Sequence, residues 1–239
     1  MSEHIIVFTG AGISAESGLK TFRDMGGYWH EHRIEDVATP EGFSANPQLV
    51  LDFYNQRRRE VLAAQPNAAH RAIAALEERF TVSVITQNID DLHERAGSSR
   101  VIHLHGELLK GQSSRDASLV LPLQKPEILP GELAPDGSQM RPHVVWFGEA
   151  VLRLDEAAEA FAQADKVLVV GTSLSVFPAA GLLQYTPDDA ERVLVALDVQ
   201  RRPEGFAFWR TNATEAVPRL VGQWLGRAGI PENDGSSPR

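Results

Sequence analysis

The sequence has 239 residues, of which 43% are hydrophobic and 23% are charged, a composition that predicts a folded globular chain rather than a disordered or fibrous one. The 23 basic and 32 acidic side chains give a formal net charge of −9, which argues against binding to nucleic acid or to an anionic membrane and is compatible with a basic peptide. The absence of cysteine excludes disulfides, thiolate nucleophiles and cysteine-ligated zinc.

Five short β-branched runs predict buried strands. In chain order they cover residues 5–8, 82–86, 101–104, 167–170 and 193–197. Helical patterns at 67–80 and 154–164 precede the second and fourth runs. The strands are almost continuously apolar, which indicates a parallel sheet covered on both faces. We therefore predict an α/β, Rossmann-like fold with helices on both faces. No apolar run reaches the length of a bilayer, and the first strand is too short for a signal-peptide core, so we expect a cytoplasmic protein. We also expect a monomer.

Two stretches interrupt the alternation of strands and helices. Residues 25–66 contain a helical pattern at 47–64 but no strand, and residues 111–140 contain four prolines and predict irregular structure. We expect these stretches to form a small inserted lobe. The Rossmann-like domain then comprises 1–24, 67–110 and 141–227, and the polar residues 228–239 form a flexible tail.

A glycine motif follows the first strand directly. Gly10-Ala11-Gly12-Ile13-Ser14-Ala15 fits G-x-G-x-x-G/A, in which glycines allow a tight turn and amide N–H groups at a helix start hold a pyrophosphate. The alternative is a strand-to-helix turn without a ligand. A dehydrogenase would also carry an acidic residue about 20 positions later, at the end of a second strand. No strand is predicted there, so a hydride-transfer enzyme is disfavoured.

Polar clusters follow three further strands. They are Thr86-Gln87-Asn88-Ile89-Asp90, His103-Leu104-His105-Gly106 and Gly171-Thr172-Ser173. In an open α/β sheet, ligands bind at the carboxyl ends of strands, so these clusters and the glycine motif predict one site. Taken singly, each has a simpler interpretation as a helix cap, a surface histidine or a turn.

In this order the motifs resemble those of the sirtuin family of NAD-dependent protein lysine deacylases, over about residues 5–198. The similarity is greatest to the class that removes acidic acyl groups. It rests on Thr21-Phe22-Arg23, Gly26-Gly27-Tyr28-Trp29, Ala38-Thr39-Pro40, Phe53-Tyr54 and the segment 141–149.

The resemblance implies NAD as a consumed co-substrate. Pyrophosphate and ribose would be bound by Gly10, Ala11, Gly12, Ser14, Gly171, Thr172 and Ser173, with Phe22 and Arg23 on a loop that closes over them. Gln87, Asn88 and Asp90 would surround the nicotinamide ribose. In the family mechanism nicotinamide leaves, the acyl oxygen attacks the ribose, and the histidine matching His105 deprotonates a ribose hydroxyl. An imidazole suits this step because its pKa lies near the working pH. His103, on the same strand face, is the alternative base.

Substrate choice is predicted from the helix that follows Pro47. Tyr54 and Arg57 are spaced i, i+3, so both project from one helix face, and a hydroxyl with a guanidinium can hold a carboxylate. Alternatively, Arg57 opens a solvated run of three arginines and Tyr54 is a core residue. The resemblance favours the first interpretation, in which Ala38 leaves a roomy pocket. It also implies that the peptide lies as an added strand between the segments that contain Val145, Phe147, Gly148, Glu149 and Val176.

The chain departs from the family at two places. Most relatives bind a structural zinc through four cysteines, whereas this chain has Ser113-Ser114 and Gly137-Ser138 near those positions, and serine does not replace a thiolate on zinc. We therefore predict no zinc and a lobe held by Leu119, Leu121, Leu123, Ile128 and Leu133. Asp198 replaces an asparagine that contacts adenosine, and its charge disfavours a 2′-phosphate, so we expect NAD rather than NADP.

Three kinds of function remain open. The favoured one is a deacylase of succinyl-, malonyl- or glutaryl-lysine proteins. A deacetylase without acidic preference, or an ADP-ribosyltransferase or NAD hydrolase, would use the same fold. A catalytically silent NAD-binding module is disfavoured by the intact His105, Asn88 and Asp90.

Overall fold

The computed structural model describes residues 2–21, 32–200 and 202–227. The strands of this part are β1 His4–Thr9, β2 Thr81–Thr86, β3 Val101–His103, β4 Gly106–Ser113, β5 Val120–Pro122, β6 Met140–Val144, β7 Lys166–Val170, β8 Glu191–Val195 and β9 Ala207–Trp209. Its α-helices are α1 Gly12–Ala15, α2 Ile34–Val37, α3 Pro40–Ala45, α4 Pro47–Ala63, α5 Ala68–Ala75, α6 Leu92–Ala96, α7 Leu154–Phe161 and α8 Ala213–Trp224, with 3-10 turns at Leu76–Glu78 and Ala179–Tyr185. None of the helices described is long and apolar enough to span a bilayer.

The larger sheet has six strands in the order β3-β2-β1-β7-β8-β9, all of them parallel. Successive residues of β1 point to opposite faces: Ile5 and Val7 join a core cluster with α5 and α8, whereas Ile6 and Phe8 join another cluster with α7. All four are fully buried. A central strand that is apolar at every position must be covered on both faces, and the two clusters supply that cover. The predicted Rossmann-like α/β fold is therefore confirmed.

A second, antiparallel sheet has the order β5-β4-β6 and shares a core with α2, α3 and α4. Strand β4 crosses the predicted domain boundary at residue 110, and β6 crosses the one at 141. The prediction of irregular structure throughout 111–140 is wrong at β5. Pro122 is the last residue of this strand, which lies at the edge of the sheet. The N–H that proline lacks is not needed for a backbone hydrogen bond of the sheet there.

Polar contacts contribute to the lobe core around Ser113 and Ser138. Ser113 and Ser138 hydroxyls lie 2.8 Å apart, and both donate to the carboxylate of Asp136, at 2.6 and 2.8 Å. Arg58, 1% exposed, donates from Nε to the Leu108 carbonyl at 2.7 Å and so ties α4 to β4.

The predicted apolar core of the lobe is only partly right. Ile128 is fully buried, and Leu121 and Leu123 pack against the core while partly exposed. Leu133, however, is 58% exposed, so its assignment to the core is wrong.

Candidate active site

The carboxyl ends of β1, β2, β7 and β8 and one wall of the lobe border a single cleft of about 570 Å³. Most predicted site residues line it: Gly10, Ala11, Gly12, Ala38, Tyr54, Arg57, Gln87, Asn88, His105, Val145, Phe147, Gly148, Glu149, Gly171, Thr172, Ser173, Val176 and Asp198. Ser14 and Asp90 line a smaller adjoining pocket that also borders Asn88. Phe22 and Arg23, like residues 26–29, lie outside the described residues.

The glycine loops after β1 and β7 pack backbone against backbone. Gly12 N–H donates to the Gly171 carbonyl at 2.8 Å, and a Cβ on Gly12 would lie 2.8 Å from Gly171 Cα. Gly171 itself has a φ of +64°, in the left-handed region that favours glycine. In the described part of the chain, no group accepts a hydrogen bond from the backbone N–H of Ala11 or Ser173. Both residues line the cleft, so these donors can bind an anionic ligand there.

A buried relay of hydrogen bonds connects the first two strand ends. Asn88 Nδ2 donates to Ser14 Oγ at 3.2 Å, and Ser14 Oγ donates to Asp90 Oδ2 at 3.0 Å. Burial raises the pKa of Asp90, whereas its bonds from the Leu92 N–H and from Ser14 favour the carboxylate. The relay fixes the orientation of the Asn88 amide at the floor of the cleft.

His105 is held in one tautomer by the strand next to its own. Its Nδ1 lies 3.0 Å from the Gln87 carbonyl oxygen, which can only accept, so Nδ1 carries the proton and Nε2 keeps its lone pair. Burial lowers the pKa of His105, against the effect of that hydrogen bond. A neutral imidazole with a free Nε2 is suited to act as a general base. His103, the alternative base, does not line the cleft.

The wall contributed by α4 carries Tyr54 and Arg57, which are 4% and 6% exposed. The guanidinium carbon of Arg57 lies 5.6 Å from the centre of the Tyr54 ring, so the guanidinium contacts the aromatic ring of its neighbour on the helix. The alternative of a solvated arginine run is wrong, because Arg57 and Arg58 are buried and only Arg59 of the three is exposed. Its other part is right, since Tyr54 belongs to the buried core of the lobe. Ala38, 4% exposed, borders the same wall.

Trp146 ties this wall to the segment after β6. Its Nε1 donates to the Tyr54 hydroxyl oxygen at 3.1 Å. An indole N–H can only donate, so the Tyr54 oxygen accepts, and its own O–H has no acceptor among the described residues. Burial raises the pKa of Tyr54, which keeps the phenol neutral and able to donate.

Glu149, predicted to contact substrate, holds the loop that presents the neighbouring residues. Arg141 donates to its two carboxylate oxygens at 2.8 Å each, and Trp146 N–H donates to Oε2 at 2.8 Å. This bidentate pair leaves the carboxylate little capacity for a substrate. It fixes instead the backbone of Val145 and Phe147.

One side of the cleft was not predicted from the sequence. Gln200 and the residues Thr211, Asn212 and Ala213, at the start of α8, also line it. A signal was available: Ala213, Ala216, Val217 and Leu220 are apolar at helical spacing, which predicts a helix beginning next to the strand ends.

Comparisons with known proteins agree with this arrangement. The model of the Sir2 family matches residues 10–178. A protein of Helicobacter pylori strain J99 named NAD-dependent protein deacylase is 48% identical over 223 residues, covering 92% of this chain and 94% of that protein. A solved Sir2 homologue in complex with NAD superposes with a TM-score of 0.85 at 37% identity, covering 94% of this chain and 90% of that one. A Sir2 structure with a p53 peptide and NAD⁺ has a TM-score of 0.76 at 30% identity, covering 94% of each chain. This chain belongs to the Sir2 family, the sirtuins.

Proposed function

We propose that this Sir2 family enzyme is an NAD-dependent protein lysine deacylase that prefers succinyl-, malonyl- or glutaryl-lysine to acetyl-lysine. The main support for the proposal is that Arg57 and Tyr54 line the same cleft as His105. A carboxylate-binding pair thus borders the space in which an acylated lysine would meet the base. The relatives named NAD-dependent protein deacylases support the reaction, but their names do not specify the acyl group.

The residues at the strand ends fit NAD. The backbone N–H groups of Ala11 and Ser173, two residues that line the cleft, would bind the pyrophosphate, and Gly10 and Gly12 let their loop pack closely against Gly171 and Thr172. Bound NAD would supply an electrophilic ribose carbon, with nicotinamide as its leaving group, and the ribose hydroxyl that finally carries the acyl group. Asp198, an exposed carboxylate on the rim of the cleft, favours a free ribose hydroxyl over a 2′-phosphate.

The chain's own residues then have distinct tasks. The Asn88, Ser14 and Asp90 relay orients polar groups toward the nicotinamide ribose. His105 Nε2 accepts a proton from a ribose hydroxyl, a role for which its neutral tautomer is prepared. Backbone groups of the segments around Val145 and Val176 bind the peptide as an added strand, which gives affinity with little sequence selectivity.

The preference for an acidic acyl group follows from charge and burial. A distal carboxylate accepts charge-assisted bonds from the Arg57 guanidinium and from the O–H of Tyr54, each worth about 1.5–3 kcal/mol. An acetyl group ends in a methyl and accepts neither. Arg57 and Tyr54 therefore add to the binding free energy of succinyl-lysine but not to that of acetyl-lysine.

Three variants test this account. We expect Arg57→Met, which keeps length and packing, to lower the succinyl-to-acetyl ratio of kcat/KM by about 10- to 100-fold, the equivalent of one charge-assisted bond. Tyr54→Phe should lower the ratio in the same direction. Arg59→Met is the matched control, because Arg59 lies on the same helix but is exposed and paired with Glu127. A ratio near one in the wild type, unchanged in Arg57→Met, would refute the proposal.

A further inference from the structure

His103 has no part in the mechanism above. This histidine lies at the end of β3, is 7% exposed, and does not line the cleft. Its Nε2 lies 2.7 Å from Glu94 Oε1 on α6, and its Nδ1 lies 3.0 Å from the backbone carbonyl oxygen of Asn88. His103 thus bridges a helix and the loop that carries a proposed catalytic residue.

Both partners of the His103 ring are acceptors. A carbonyl oxygen cannot donate, and neither can an ionised carboxylate, so both contacts are hydrogen bonds only when both ring nitrogens carry a proton. That state is the imidazolium cation. His105 differs from it, because one of its nitrogens faces a carbonyl while the other is left for substrate. Two histidines separated by one residue thus have contacts that select opposite protonation states.

The surrounding charges agree with a cation at His103. Glu94 and His93 approach from α6, Asp90 from the preceding loop, and Glu107 and His143 from the neighbouring sheet. Burial lowers the pKa of His103, but the hydrogen bond and the charge of Glu94 outweigh it, so the pKa lies above its ordinary value. Burial lowers the pKa of both His93 and His143, which leaves these two neighbours neutral.

We propose that His103 is a positioning residue: held as an imidazolium between Glu94 and the Asn88 carbonyl, it fixes the Asn88 loop at the nicotinamide end of the cleft. The His105 ring anchors the adjacent carbonyl of Gln87, so two successive peptide groups of this loop are bound by two rings of one strand end. Asn88 in turn orients Ser14 through its amide. Loss of the cation therefore loosens the groups that hold the nicotinamide ribose, whereas the acyl pocket at Tyr54 is untouched.

The charge state can be measured without any substrate. Histidine side-chain ¹H–¹⁵N spectra recorded from about pH 5.5 to 8.5 report the protonation of each ring, and His103→Gln identifies the His103 signals by their loss. We expect the midpoint of His103 to lie above that of His105, and Glu94→Gln to lower it. A His103 midpoint at or below that of His105, or one that Glu94→Gln leaves in place, would overturn the proposal.

The positioning role is measured by the exchange of labelled nicotinamide into NAD in the presence of an acyl-lysine peptide. We expect Glu94→Gln and His103→Gln to slow exchange by about tenfold or more, with a smaller change in the KM for peptide, because misplaced groups cost rate more than peptide affinity. Glu94→Asp, which keeps the carboxylate, should recover part of the rate. The matched control is Glu156→Gln on another helix, which removes a carboxylate of similar exposure, 39% against 40% for Glu94, that pairs with Arg153 and Arg100.

The inference rests on the NAD-dependent reaction of the proposed function and not on the acyl preference. If only the acyl preference is wrong, the exchange and the His103 midpoint still respond to Glu94→Gln. If His103 serves stability alone, both variants lower Tm while exchange per folded molecule stays at the wild-type rate, and the positioning role is refuted.

Discussion

The bond from Trp146 to Tyr54 gives a sharp test of how the acyl pocket works. Trp146→Phe removes the Nε1 donor but keeps an aromatic ring between Phe43 and the Arg141 guanidinium, whose carbon lies 3.6 Å from the centre of the indole ring. Without that donor the Tyr54 oxygen has no fixed partner among the described residues, and its O–H is free to rotate away from the cleft. The change therefore removes one hydrogen bond to Tyr54 and, because Trp146 is 2% exposed, also leaves a small cavity in the lobe core that affects stability rather than the choice of acyl group.

The magnitude follows from the hydrogen bonds involved. Losing the alignment imposed by one neutral bond costs about 0.5–1.5 kcal/mol, which corresponds to a 2- to 13-fold fall in the succinyl-to-acetyl ratio of kcat/KM. Tyr54→Phe removes the donor to the acyl carboxylate altogether. A charge-assisted bond is worth about 1.5–3 kcal/mol, so this variant should lower the ratio more than Trp146→Phe does.

The assay is a double-mutant cycle on that ratio. If Trp146 acts only by orienting Tyr54, adding Trp146→Phe to Tyr54→Phe changes the ratio no further, and the two effects are strongly non-additive. Additive effects of the two substitutions, or an unchanged ratio in Trp146→Phe, would refute this reasoning.

Three further outcomes follow from the structure. Burial lowers the pKa of His105, and the base is active when it is neutral. The rise of kcat/KM with pH on the acidic side should therefore have its midpoint below pH 6.5. A midpoint above that value contradicts the assignment. Gly12→Ala places a Cβ 2.8 Å from Gly171 backbone and should cost about 1–3 kcal/mol, or about 2–12 °C in Tm, whereas Gly181→Ala, with no contact shorter than 3.8 Å, should change Tm little. Elemental analysis should find no stoichiometric zinc, and a chelator should leave Tm unchanged; one zinc per chain would contradict the prediction from Ser113 and Ser138.

The sequence predicted five of the six strands of the larger sheet, because its central strands are apolar at every position, and it missed only the short edge strand β9. Ile5–Phe8 and Val167–Val170 have few alternatives to a buried parallel strand. The polar residues that follow them had to meet at one sheet edge, which is why Asn88, His105 and Thr172 could be placed together.

The small sheet was harder to predict, because β4 mixes Glu107, Lys110 and Gln112 with its apolar residues. Its pairing with β6 joins segments that are distant in sequence and carry no local signal. The role of Glu149 was hidden for a similar reason, since the Arg141 pair depends on how the chain turns between them. The contacts of His103 likewise depend on where α6 packs.

The central claim is that one cleft transfers acidic acyl groups from lysine to NAD. Internal competition tests it most directly: equal amounts of one peptide carrying succinyl-lysine or acetyl-lysine react together with NAD, and mass spectrometry follows both. We predict that the succinyl peptide is consumed first and that 2′-O-succinyl-ADP-ribose accumulates. Equal consumption of the two peptides, or release of free ADP-ribose with both peptides intact, would contradict the account.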